Sequence, residues 1–326
     1  MSYNQSFKQE IWNLSSDDFN EKALDLFIYQ AQNNKIYQKY LKSLNVDPFE
    51  VKFLEEIPFM PIEFFKHHQV VTGAKASSFY FESSGTTESG RSRHYLMDPE
   101  FYLKVCMLGF ERFYGNPGDY KIFGLLPNYM KNPHSSLIYM VDFLIKKGIP
   151  GSGYVQSGED LIREVKSSLN AGEKPVIFGV TFALLDLAEK FSEDLEGLIL
   201  IETGGMKGRR EEITRAEFHG ILKKAFNLTN IHSEYGMCEL NSQAYALADG
   251  QFILPSWMKV FLRDMNDPFS KANVSGGINI IDLANIDSCA FIETKDIGRI
   301  NGDFFEVLGR FDNSDVRGCS QLTINI

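Results

Sequence analysis

The sequence has 326 residues, 44% of them hydrophobic, which is enough for one large domain or two moderate ones. A net charge of −10, from 43 acidic against 33 basic residues, excludes the concentrated basic face of a nucleic-acid binder. Residues 1–10 are too polar for a signal peptide, the apolar stretch 176–188 is too broken to span a bilayer, and the four cysteines form no CxxC pair, so a cytoplasmic protein with reduced thiols is expected.

Residues 1–75 read as a helical N-terminal segment packed on the core. Asp17 and Asp18 are placed to cap a run through Ala23, Leu24, Leu26, Phe27 and Tyr29 at helical spacing. Pro58 and Pro61 break that pattern in what reads as an ordered connector. Residues 76–312 then alternate in the manner of an α/β protein. A short aromatic strand at 78–81 precedes a loop of Ser, Gly and Thr. Asp98-Pro99-Glu100 is a helix start, with a capping Asp, Pro in the first turn and a carboxylate near the positive helix end. Strands at 121–126, 176–180 and 198–202 are expected between helices at 135–147, 159–170, 182–191 and 211–226. From Phe252 onward the pattern changes to short strands and turns. The architecture expected is α/β, with two lobes of mixed sheets flanked by helices and a β-rich C-terminal segment.

Three clusters could carry chemistry. In the first, Ser83, Ser84, Gly85, Thr86 and Thr87 follow a strand directly. Small residues there let backbone N–H groups approach an anion, while hydroxyls add donors. Arg91, Arg93 and His94 follow and can supply charge for phosphates. The loop is neither GxxxxGK[ST] nor GxGxxG. In the second, Tyr235 and Gly236 stand four residues ahead of Glu239, an arrangement able to stack on a base and ligate Mg²⁺. In the third, Asp296 and Arg310 lie near strand ends, where a carboxylate can accept from ribose hydroxyls; a turn Asp is the commoner use. His67, His68 and His134 show no metal-ligand spacing.

Residues 81–94, 203–210, 234–240 and 309–320 together resemble the acyl-adenylate-forming superfamily, and more closely its acyl-protein synthetase (LuxE-like) branch. The resemblance implies ATP and Mg²⁺ as cofactors and a carboxylic acid, a fatty acid above all, as substrate. It implies that Ser83, Ser84, Gly85, Thr86 and Thr87 hold the β- and γ-phosphates, that Gly204 and Gly205 line the nucleotide site, and that Tyr235 and Gly236 flank adenine. Glu239 would bind Mg²⁺, Asp296 the ribose hydroxyls, and Arg310 with Asp312 would mark the hinge. Arg93 and His94 are assigned to the phosphates. Three departures stand out: Glu88 replaces a loop Gly, Cys238 replaces a Thr beside the α-phosphate, and the sequence ends at Ile326, so that on this reading 313–326 is a tail and the small C-terminal domain is absent.

In that branch the acyl group passes to a cysteine near the C-terminus. Cys319 is the matching thiol, with Arg317 placed to favour its thiolate and Cys238 as rival nucleophile. A small buried hydrophobe is the alternative for Cys319. The branch further implies a partner reductase, acyltransferase or acyl carrier. Two other readings stay open: an acyl- or aryl-CoA ligase of the phenylacetate type, and a non-catalytic subunit that binds nucleotide or acyl-adenylate.

Overall fold

A computed structural model describes residues 3–73, 77–83, 90–127, 132–155, 157–204, 213–267 and 269–311. Three helices open the chain: α1 Tyr3–Glu10, α2 Ser16–Asn33 and α3 Lys35–Ser43. The α2 cap differs from expectation. Ser15 is the N-cap and accepts from Asp18 N, while Asp18 Oδ2 accepts from Ser15 N at 3.3 Å. Asp18 is thus the third helical residue of a capping box, because the reciprocal bonds satisfy two amide donors that an Asp at the cap would leave as one.

The connector follows as β1 Met60–Pro61 and α4 Phe64–His67, then a separate hairpin of β2 Tyr80–Glu82 and β3 Arg93–Tyr95. Next come α5 Pro99–Tyr114, β4 Tyr120–Leu125, α6 Ser136–Lys147, β5 Gly153–Tyr154, α7 Gly158–Asn170, β6 Lys174–Val180, α8 Thr181–Lys190, β7 Ile199–Thr203 and α9 Arg215–Phe226. The remainder is β8 His232–Tyr235, β9 Ala244–Ala246, β10 Phe252–Ile253, β11 Met258–Arg263, β12 Ser275–Asp282, β13 Phe291–Asn301 and β14 Phe304–Arg310.

Among the described residues twelve strands form one sheet in the order β11-β12-β13-β14-β10-β9-β8-β7-β6-β4-β5, with β1 running parallel to β13. The strands β5, β4, β6, β7 and β8 pair in parallel through helical crossovers, and their sequences are near-continuous apolar runs because both faces are covered. From β8 onward to β11 every pairing is antiparallel. β8 is therefore the strand at which sheet direction changes. Two hydrophobic cores sit along this sheet. One packs α1, α2 and α3 on the antiparallel end around Phe27, Tyr37, Ile280 and Phe291; the other packs α5 to α9 on the parallel end around Phe110, Ile177, Phe178 and Leu222. The two lobes expected from sequence are these two cores sharing one mixed sheet, with the β-rich C-terminal part present.

The last helix begins later than residue 211. Thr214 caps α9, accepting from Glu217 N at 3.2 Å while Glu217 Oε2 accepts from Thr214 N at 2.9 Å.

Candidate active site

The carboxyl ends of β6, β7 and β8 come together where the sheet changes from parallel to antiparallel, the place where open α/β sheets bind ligands. Thr181, leading out of β6, donates to Gly204 O just past β7 at 3.0 Å. One strand over, Thr203 Oγ1 donates to Glu234 Oε2. The parallel register sets Glu202 beside Ser233 and Thr203 beside Glu234, so the two glutamates point to opposite faces of the sheet.

Glu202 faces α9. Arg215 Nε donates to its Oε1 at 3.2 Å and His219 Nε2 stands 3.7 Å away. Burial opposes its charge, but these bases hold its pKa below the ordinary value. Glu234 faces α5, and no base among the described residues pairs with it. Burial pushes its pKa from 4.5 to about 7, the Thr203 hydrogen bond opposing and the Glu202 charge reinforcing the rise.

Past Glu234, Tyr235 is buried at the end of β8 and donates from its hydroxyl to Asp296 Oδ2 at 2.7 Å. Its ring packs on Phe252 and Phe305, with ring centres 5.7 and 5.4 Å apart. Burial raises the Asp296 pKa, opposed by Tyr235 and by Arg310, whose Nε lies 4.0 Å from Oδ1 on the paired strand. Gly236 lies tight against its neighbour: a Cβ there would stand 2.5 Å from Glu234 Oε1, and that carboxyl would have to move. The Glu239 side chain is buried. Burial raises its pKa, while hydrogen bonding to Ser92 and the Arg310 charge pull it down.

The hairpin closes the site from the other side. Ser83 N donates to Ser92 O and Ser92 N to Ser83 Oγ, both at 3.0 Å, which fixes the base of the Ser/Thr loop. His94 is buried, and its Nδ1–H donates to Cys238 O at 2.9 Å, tying β3 to the Tyr235–Glu239 segment. Burial holds its pKa at about 4, so this ring is neutral at pH 7 and brings a tether rather than a charge. Arg93 and Arg91 are half exposed and share Glu82, at 3.2 and 2.8 Å. Burial also pushes the Cys238 thiol well above its ordinary pKa, with Glu239 adding to the rise, which keeps it protonated.

The structure thus brings Ser83, Arg93, His94, Gly204, Tyr235, Gly236, Cys238, Glu239, Asp296 and Arg310 around one sheet edge. Ser84, Gly85, Thr86, Thr87, Gly205, Asp312 and Cys319 lie outside the described residues. Glu202, Glu234, Ser92, Arg215 and Gln243 have no role in the sequence reading. The signal for Glu202 was a carboxylate inside an otherwise apolar strand, which argues for a paired or functional buried charge; Glu234, in the polar segment His232–Tyr235, gave none. No group of three or more His, Cys, Asp or Glu side chains converges as a metal site among the described residues. Nor is any described helix long and apolar enough to cross a membrane.

No family model and no curated protein matches the chain. Among solved structures it is similar to 2-hydroxyisobutyryl-CoA ligase in the postadenylation state with R3-HIB-AMP, at 12% identity and TM-score 0.66, over 93% of this chain and 70% of the ligase. It is similar to O-succinylbenzoate coenzyme A synthetase from Bacillus subtilis in complex with ATP and magnesium, at 15% identity and TM-score 0.52, over 72% of this chain and 50% of the synthetase. An ATP-bound RpMatB-BxBclM chimera gives 16% identity and TM-score 0.51, over 73% and 49%. The chain spans about half the length of the synthetase and of the chimera. At these identities the likeness shows the fold, that of the large domain of adenylate-forming ligases.

Proposed function

We propose that this protein activates a carboxylic acid with ATP as an acyl-adenylate and hands the acyl group to a thiol. The carrying observation is the convergence of Tyr235–Glu239, the β2–β3 hairpin and the Asp296–Arg310 pair at the carboxyl ends of the parallel strands. In the reaction the acid's carboxylate attacks the α-phosphorus, the bond to the β-phosphate breaks and pyrophosphate leaves; the thiol, giving up its proton, then attacks the acyl carbonyl, a thioester forms and AMP leaves.

Each residue's part follows from its surroundings. Tyr235, held by Asp296 and wedged on Phe252 and Phe305, offers a fixed ring edge for the base. Asp296 keeps Oδ1 for ribose hydroxyls while Oδ2 holds the tyrosine. Ser83 anchors the loop 84–87 whose amides and hydroxyls would take the phosphates. The buried Glu239 fits a divalent cation, because burial leaves its negative charge under-compensated. Mg²⁺ held there with substrate phosphates would neutralise charge on the departing pyrophosphate. Arg93, half exposed on the hairpin and shared with Glu82, would turn to phosphate oxygens, and His94 fixes the strand that carries it.

A long apolar acid and Cys319 as acceptor rest on the aromatic content and on the LuxE-like resemblance. The similarity to coenzyme A ligases favours coenzyme A as the second candidate acceptor. The test is acid-dependent ATP–pyrophosphate exchange with Mg²⁺, followed by intact mass. Exchange plus a thiol-labile mass gain lost in Cys319→Ser is the expected result. Exchange without protein acylation moves the acceptor to coenzyme A or a carrier. ATP binding without exchange for any acid overturns the enzymatic reading in favour of a binding subunit.

A further inference from the structure

The α5 face of the sheet holds polar atoms that the fold leaves without partners. Glu234 and Tyr245 are directly opposite each other across β8 and β9, and Gln243 lies two residues before Tyr245 on the same side. Tyr245 is fully buried and Gln243 and Glu234 are each more than nine-tenths buried. The Tyr245 hydroxyl and Gln243 Oε1 receive no hydrogen bond among the described residues. Gln243 Nε2 donates to Asn241 O at 3.3 Å, which orients Oε1 away from it toward α5. Glu234 spends Oε2 on Thr203, and Oε1 projects beside Gly236.

There is room at this point. Gly109 is buried on α5, and a Cβ added to it would meet nothing nearer than Gln243 Oε1 at 4.0 Å. A helix-interior glycine costs stability relative to alanine, so a methyl-sized gap kept beside an unpaired acceptor is an unfavourable choice for packing alone. The gap adjoins the candidate active site, since Gln243 Cγ and Glu234 Oε1 both border Gly236.

We infer that this gap is the specificity end of the acid-binding site, and that it takes an acid bearing a hydrogen-bond donor, a hydroxyl or an ammonium, rather than a plain hydrocarbon chain. The inference rests on the adenylation reading for the location of the acid's carboxylate. Of the two unpartnered atoms Gln243 Oε1 only accepts and the Tyr245 hydroxyl does both, and the Glu234 carboxyl stands beside them, so an anion is repelled and an alkyl group leaves both unsatisfied. A hydroxyl donates to Glu234 or Gln243 and accepts from Tyr245; an ammonium donates to both acceptors. The substrate's own carboxylate then points out of the gap toward Gly236, on the nucleotide side. The tail of a donor-bearing acid can still be apolar, so the inference concerns the polar group and not chain length.

The experiment compares acids of equal length that differ in one group: butanoate and octanoate against their 2- and 3-hydroxy and 2- and 3-amino forms. Two readouts are taken on the full chain, ATP–pyrophosphate exchange and, independent of turnover, calorimetric binding of the acid. A donor-bearing acid is expected to exceed its plain parent by about 100-fold or more in either readout. Gln243→Met should reduce that preference about tenfold with KM for ATP unchanged. Glu234→Gln separates the two donors, keeping an acceptor for hydroxy acids and losing the charge that favours amino acids. Gly109→Ala should raise Tm by a few degrees and yet weaken donor-acid binding, a combination that a packing role alone does not give. Selective binding without exchange would support this site and sink the adenylation reading. Plain acids bound as well as donor-bearing ones, no acid bound at all, or unchanged binding in Gly109→Ala and Gln243→Met would show that the gap holds water only.

Discussion

Glu234 ties the site's chemistry to the stability of the fold. Its folded pKa of about 7 lies above the ordinary 4.5, so it contributes stability that is full below pH 4.5 and is lost as pH rises through 7. Asp282, raised by burial to about 6, acts with the same sign over a lower range. His94 and His232, both held at about 4 by burial, act oppositely: stability is lost as pH falls from 6.5 through 4. An unfolded histidine is still half protonated at pH 6.5, so the two histidine contributions rise with pH there and offset the Glu234 decline. The Glu234 part is read by difference: the denaturant stability of the unmodified protein minus that of Glu234→Gln should fall from pH 6.5 to 7.5, by roughly 1 kcal/mol at most. A difference that does not change with pH would place the proton on another group. Asp282 has a different job despite a similar burial. It accepts from the amides of Asn241, Ser242 and Ala284 and from the Ser242 hydroxyl, which leaves its charge satisfied within the chain. Asp282→Ala should cost about 3 kcal/mol by orphaning those donors, measured by chemical denaturation.

At the scale of elements, the caps carry predictions that are independent of function. Thr214 and Glu217 close the first turn of α9, and Asn227 ends it at φ 52°, a left-handed position that asparagine tolerates. Thr214→Ala should cost about 1 kcal/mol and leave the pH slope untouched. A pH-dependent loss would mean that the cap also shapes the Glu202 environment through Arg215. These elements were legible unevenly. The strands β4, β6 and β7 announce themselves as apolar runs, and α5 and α6 by their caps and stops. The start of α9 was misplaced by a few residues, and β8 was not read as a strand. Helical spacing continues through residues preceding Thr214, and the polar composition of β8 hides a strand that is buried rather than solvent-facing.

For the whole molecule the informative residue is Arg215. It binds Glu202 on β7 through Nε and Val307 O on β14 through Nη1 at 3.2 Å, and its guanidinium lies 5.2 Å over the Phe252 ring. Gly250, at φ 68°, gives it room, since a Cβ there would stand 2.7 Å from Arg215 Cδ. One side chain thereby joins the parallel lobe to the aromatic wall that carries Tyr235. Arg215→Ala should cost roughly 3 kcal/mol, the low end for breaking a buried pair because Arg215 is partly exposed. A double-mutant cycle with Glu202→Gln should show coupling of about 1 kcal/mol or more; additivity would mean the lobes are held together elsewhere.

The sequence by itself determined the α/β character, the alternation of the main strands and helices and the β-rich C-terminal part, and it offered three clusters as candidates for nucleotide chemistry. Those features are local: apolar periodicity, caps and small-residue loops are written in consecutive residues. It also named Tyr235, Glu239 and Asp296, because short motifs carry their own chemistry. Only the tertiary structure decided that Tyr235 bonds Asp296 across 61 positions and that His94 is a neutral tether to a segment 144 residues away. Only it decided that Glu202 is paired with bases while its near neighbour Glu234 meets a hydroxyl. That difference comes from which helix covers each face of the sheet, α9 with Arg215 and His219 or α5 with Tyr102 and Cys106, and a single sequence does not encode such long-range facing in any local pattern.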